Sequence, residues 1–125
     1  MSTVAAIAGC VILGALACLQ LYVALGGAAG QYVWGGQHRV LPRQLRFSSA
    51  AAIILYAGFA AVLLSRAGVI TAMDDSTTRV LGWLLTAYFV LATVLNALSQ
   101  SREERSVMTP ATALLALCSA IVAVS

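Results

Sequence analysis

The chain has 125 residues, of which 62 % are hydrophobic and only 9 % charged, and its formal net charge of +3 comes from seven arginines, with no lysine. Soluble domains carry roughly a quarter charged residues, so this composition excludes an ordinary water-soluble globule. It also excludes nucleic acid as the partner of the positive charge, because arginines that flank long apolar runs meet lipid head groups first.

Val4 to Leu25 is apolar except for Gln20. At about 1.5 Å per residue it can cross a hydrocarbon core of roughly 30 Å, which predicts a first span over 4–25. A signal peptide is not expected, since no positive charge precedes the run and no small-residue cleavage site leads into a soluble domain. The next stretch, WGGQHRVLPRQLRF, holds three arginines, the only histidine and one of two prolines. Glycines at 26, 27, 30, 35 and 36 loosen the chain here, and Trp34 can dip into the interface, so an interfacial elbow is expected. Pro42 suits a first helical turn and Arg43 and Arg46 can snorkel to head groups, which starts the second span, 42–64.

Val80 to Leu98 predicts the third span, 80–98. The fourth, 102–124, begins at Ser101-Arg102-Glu103-Glu104, which has the spacing of a capping box, and Pro110 would kink it. The fold class is therefore all-α, an integral membrane four-helix bundle, with residues 1–125 forming one transmembrane domain. Arg39, Arg43, Arg46, Arg102 and Arg105 fall on one side of the bundle and only Arg66 and Arg79 on the other. Positive charge stays in the cytoplasm, so the expected location is the cytoplasmic membrane, multi-pass, with both termini extracytoplasmic.

Lipid tails are as apolar as leucine, so helices must associate through small residues and hydrogen bonds. Ala6, Cys10, Gly14 and Cys18 recur at every fourth residue of the first span, and Ala113, Ala116, Ala120 and Ala123 form a stripe on the fourth. Both read as contact seams. Cys10 and Cys18 lie about 12 Å apart along one helix axis, too far to bridge; with Cys118 they read as small packing residues.

No acid, histidine or arginine lies in the middle of any span. Proton-coupled exporters need an ionisable group at membrane depth. The length and four short spans resemble the small multidrug exporters and the small fluoride channels, yet the first span has no glutamate and the Gly-rich, Asn-bearing channel pattern is missing. One histidine leaves no metal-ligand set of plausible spacing, and no cofactor is expected.

What remains is a convergence of polar groups. With the first and third spans both descending toward the arginine-rich side, Gln20 and Tyr22 reach the depth of Asn96 and Ser99, and Trp34 and His38 lie on that side. The expected ligand-binding set is Gln20, Asn96, Trp34, His38, Arg43 and Arg46, with no catalytic residue. The competing reading makes Gln20 and Asn96 interhelical glue and Trp34 and Trp83 interface anchors. The leading function is a non-enzymatic binding or accessory membrane protein. Alternatives are a small oligomeric transporter or channel, or a lipid-modifying enzyme using His38. Expected partners are the bilayer, an anionic lipid, and a second copy or a partner membrane protein.

Trp34-Gly35-Gly36, His38, Leu41-Pro42 and Leu45-Arg46, together with Asn96, Ser99, Ser101, Glu104-Arg105 and Pro110, resemble the pattern of a group of uncharacterised small four-span bacterial membrane proteins. That resemblance implies a four-helix integral membrane fold and no particular activity.

The arginine asymmetry generates a test of topology. In a cysteine-free background, a cysteine introduced at Gln37 should be shielded from an impermeant thiol reagent in intact cells, and one at Ser76 should react. The reverse labelling would invert the orientation.

Overall fold

A computed structural model describes residues 1–125 as four long helices joined by short connections, with no strand: α1 (Ser2–Ala24), α2 (Arg43–Arg66), α3 (Asp75–Ala97) and α4 (Arg102–Val124). All four are long and apolar enough to cross a membrane. The chain is thus a multi-pass, all-α bundle. Going around it, α1 packs against α2 and α4, α3 packs most extensively on α4, and the α2–α3 seam is the loosest between neighbours.

The helix limits follow the apolar runs closely except at α3, which begins at Asp75 rather than at Val80. The apolar window marks what hydrocarbon can accept, whereas a helix continues beyond it wherever polar side chains serve the first turn. Asp75 favours the helix N-terminus by its charge, and the Thr78 hydroxyl donates to the Asp75 carbonyl at 2.9 Å. At this end the nearly buried Arg66 side chain, 5 % exposed, pairs with Asp75 at 2.8 Å and also donates to the Ser125 carbonyl, tying α2, α3 and α4 together.

The contact face of α1 is not the expected seam. Ala6 is fully buried, but Gly14 and Cys18 are exposed and Gly14 has nothing within 4 Å of where a Cβ would stand. Residues four apart advance about 40° beyond a full turn of a straight helix, so an unbroken i, i+4 series walks off any flat interface. The buried positions Ala6, Gly9, Leu13, Gln20 and Val23 mix steps of three, four and seven, which hold one face. Gly9 is the close approach: a Cβ there would sit 2.9 Å from Leu63 Cδ1 of α2 and 3.6 Å from Cys118 Cβ of α4. The α4 stripe is likewise partial, with Ala123 buried and Ala113 exposed. Ala123 meets α3 at Gly82, whose Cβ would lie 3.4 Å from the Ala123 Cβ.

Hydrogen bonds reinforce α3 on α4. The Thr93 hydroxyl lies 3.0 Å from Thr112 Oγ1, the Asn96 amide donates to the same oxygen at 3.3 Å, and the Thr112 hydroxyl donates to the Met108 carbonyl at 2.8 Å. Away from the Arg66–Asp75 pair at the far end, no such polar link joins α2 to α3. Their contact rests on aromatic rings, with Phe59 centred 5.2 Å from Tyr88 and 5.6 Å from Phe89.

Overpacking a fitted contact costs about 1 to 3 kcal/mol. Gly9→Leu should therefore lower the thermal midpoint in detergent clearly, while Gly14→Leu, which faces open space, should leave it within error. Equal effects of the two would contradict this assignment of the seam.

Candidate functional site

The elbow after α1 folds over the arginine-rich end of the bundle through two single-turn 3-10 segments, Gly30–Tyr32 and Trp34–Gly36. It closes on itself where the Gly30 N–H donates to the Arg39 carbonyl at 2.7 Å, an approach that leaves no room for a side chain at Gly30 because a Cβ would overlap the His38 carbonyl. Val33 and Leu41 from the elbow join Val23 of α1 and Met108 of α4 in a small apolar cluster that seats it.

Three polar clips then fix the elbow. The Trp34 indole N–H donates to Ser49 Oγ of α2 at 2.9 Å, and Ser49 is fully buried. Trp34 holds φ +52°, a left-handed conformation that costs a bulky residue roughly 1–2 kcal/mol. The Ser101 hydroxyl of α4 donates to the Gln31 carbonyl. Finally, the Gly35 N–H donates to Glu104 Oε2 at 3.2 Å.

That last bond exists because the cap of α4 is only half a capping box. Ser101 does accept from the Glu104 N–H, at 3.3 Å. In the full motif the Glu104 carboxylate would reach back to the Ser101 N–H; here Ser99 Oγ accepts from that N–H at 3.1 Å instead. The carboxylate is released to turn inward.

Beneath the elbow lies a cavity of about 880 Å³, within the usual range for a ligand pocket. Gln20 of α1, Trp34 and Gly35 of the elbow, Tyr56 of α2, Tyr88 and Asn96 of α3, and Glu104 and Thr112 of α4 all contribute to its wall. It adjoins a second hollow of about 700 Å³ between α2 and α3, the two sharing Ala51, Leu55 and Tyr88 as lining. In that second hollow the Tyr88 hydroxyl is the only side-chain hydroxyl, amide or charge. Together they form a groove with a polar head end and an apolar tail.

Two polar groups in the head end are incompletely bonded. Gln20 is 7 % exposed, and its Oε1 is buried with no hydrogen-bond partner although the Tyr56 side chain stands beside it. Glu104 is also 7 % exposed; it accepts the one Gly35 bond through Oε2 and forms no ion pair.

Of the residues expected to form a site, Gln20, Asn96 and Trp34 come together on the cavity wall. His38, Arg43 and Arg46 do not line it; all three are exposed. Arg46 Nε donates to the Ala24 carbonyl at 2.8 Å, completing the end of α1, and the Arg43 guanidinium lies 5.8 Å from the centre of the Phe47 ring. Gln20 and Asn96 do not bond each other, since Asn96 turns to Thr112. Glu104, Tyr56 and Thr112 belong to the wall without having been expected there. Glu104 was legible only as a capping residue, because its second role depends on Ser99 taking over its cap partner. No group of three His, Cys, Asp or Glu side chains is gathered to hold a metal, and the three cysteines are free.

No protein-family model matches the chain, and neither does any curated protein or solved structure.

Two glycines separate backbone strain from packing at the elbow. Gly36 has φ +71° with its missing Cβ directed at Ser101, whereas Gly68 has φ +80° with open space around it. Gly68→Ala should cost about 1 kcal/mol from the left-handed backbone alone. Gly36→Ala should cost clearly more, read as a larger fall in thermal midpoint, because the methyl must also push the elbow off α4. Equal falls would mean that the elbow is not clamped at Ser101.

Proposed function

We propose that this protein is a non-enzymatic membrane protein that takes a single-tailed amphipathic molecule from the bilayer into the groove between α2 and α3. What supports this reading is that an 880 Å³ cavity with Gln20, Asn96 and Glu104 on its wall adjoins an apolar 700 Å³ hollow at Ala51, Leu55 and Tyr88, along the loosest helix seam. A soluble ligand would have no use for the apolar extension, and a hydrophobic one would have no use for Gln20, Asn96 and Glu104. The ligand enters sideways, tail between Leu55 and Leu84, head beneath the Trp34 elbow.

In this reading the arginine-rich end lies at the cytoplasmic leaflet. Arg43 and Arg46, exposed on the outer flank of that end, hold it against anionic head groups, each contributing on the order of 1 kcal/mol. They orient the bundle and leave head-group selection to the cavity. A catalytic role for His38 finds no support, since its exposed side chain lies off the wall.

Native mass spectrometry of the detergent-purified protein tests the reading. Ala51→Trp and Leu55→Trp place an indole where the two hollows join and should abolish retention of a co-purified amphiphile at unchanged thermal stability. Ala57→Trp, on an exposed face of the same helix outside both hollows, should retain it. Asn96→Leu should reduce retention while the fold stands, because interhelical bonds of this kind average well under 1 kcal/mol. Equal retention in all four variants would sink the groove as a binding site.

A further inference from the structure

Charge is distributed unexpectedly at the head end of the groove. Five of the seven arginines cluster at this end of the molecule, yet none forms an ion pair there: the only ion pairs join Arg66 and Arg79 to Asp75 at the opposite end. Arg46 and Arg105 are instead spent on backbone carbonyls, of Ala24 and Ser99 respectively. Of the four acids, Asp74 and Asp75 sit at the opposite end and Glu103 is exposed, so Glu104 is the one charge on the cavity wall. The wall is therefore negative although the surface around it is positive.

Removing a carboxylate from water is expensive unless a cation and hydrogen-bond donors replace the water. The protein supplies Glu104 with one donor, the Gly35 N–H, and no cation. Gln20, nine-tenths buried on the same wall, presents a carbonyl oxygen that also lacks a donor. Both are acceptors with room for a further donor, the Glu104 carboxylate holding one N–H and the Gln20 carbonyl oxygen none. The rings of Trp34, Tyr56 and Tyr88 line the same space, and aromatic faces attract cations. An anionic head group would face the Glu104 carboxylate with like charge, and a neutral hydroxyl would leave that charge uncompensated.

We infer that the head end of the groove selects a protonated long-chain amine, its ammonium hydrogen-bonded to Glu104 and Gln20 and its chain lying between α2 and α3. The inference rests on the groove reading above and names its ligand class. Gly35 holds one carboxylate oxygen in place, leaving the other for the ammonium, and the elbow closes over the pair to exclude water. No member of the arginine collar pairs with the carboxylate, and Arg46 and Arg105 donate to backbone carbonyls instead.

The test uses the full chain in a neutral maltoside detergent at neutral pH, with dodecylammonium and dodecan-1-ol as probes and native mass spectrometry as the readout. Wild type should bind the amine about tenfold or more tightly than the alcohol, as a charge-assisted contact requires. Glu104→Gln keeps an oxygen for the Gly35 N–H and removes the charge; it should lower amine affinity to the level of the alcohol and leave alcohol binding unchanged. Glu104→Asp keeps the charge and should keep a preference for the amine, so the comparison survives if the glutamine variant folds poorly. Ala51→Trp should abolish binding of both probes. If Ala51→Trp leaves amine binding intact, the groove reading itself fails. If Ala51→Trp abolishes binding while wild type shows no preference for the amine over the alcohol, or Glu104→Gln keeps the wild-type preference, the groove stands and the inference of a cationic head is overturned.

Discussion

A helix bundle in hydrocarbon gains nothing by turning leucine inward, and that constraint shapes every seam of this molecule. Seams close most tightly where backbones can approach or where polar groups find each other. α1 closes on α2 and α4 at Gly9, and α3 closes on α4 at Gly82 and Ala123 and again through Thr93, Asn96 and Thr112. Between α2 and α3 the bundle offers Ile54, Leu55, Leu84 and Leu85, with no glycine contact and no interhelical hydrogen bond at that depth. That seam is held at the far end by Arg66 and Asp75 and at mid-depth by the Phe59 ring contacts. The groove lies along this seam, from beneath the elbow past Phe59 to Val62, Met73 and Leu81.

The elbow turns that gap into a chamber. It needs glycine at two places for steric reasons, Gly30 against the His38 carbonyl and Gly36 against Ser101, and it holds Trp34 in a backbone conformation a tryptophan rarely adopts. The compensation is local: an indole bond to a buried serine and an apolar seat formed by Val23, Val33, Leu41 and Met108. The same clamp re-aims Glu104. Because Ser99 serves the Ser101 N–H, a side chain that a capping box would spend on its own helix is turned to the cavity, where it is the only charge.

The amino-acid sequence carried the architecture because span length and apolarity are properties of contiguous residues, and three of four helix starts fall within two residues of the expected spans. It carried the convergence of Gln20, Asn96 and Trp34 for a related reason: depth in a spanning helix is read directly from position. What it did not carry is azimuth. Every-fourth-residue spacing suggested Gly14 as a contact, but the helix rotates it to an open face and brings Gly9 inward. Azimuth also separates Arg43 and Arg46 from the cavity although they share its depth. Glu104 was hidden by a different cause, since its role follows from a serine five residues earlier competing for one N–H.

The most direct measurement is an experimental structure of the protein in a lipid nanodisc. In that structure α2 and α3 should be parted beside Leu55 and Tyr88, with elongated density lying between them and the polar end of that density within hydrogen-bonding distance of Glu104 beneath the Trp34 elbow. A closed α2–α3 seam, with Leu55 packed on Tyr88 and the Glu104 carboxylate returned to the Ser101 N–H, would contradict this reading.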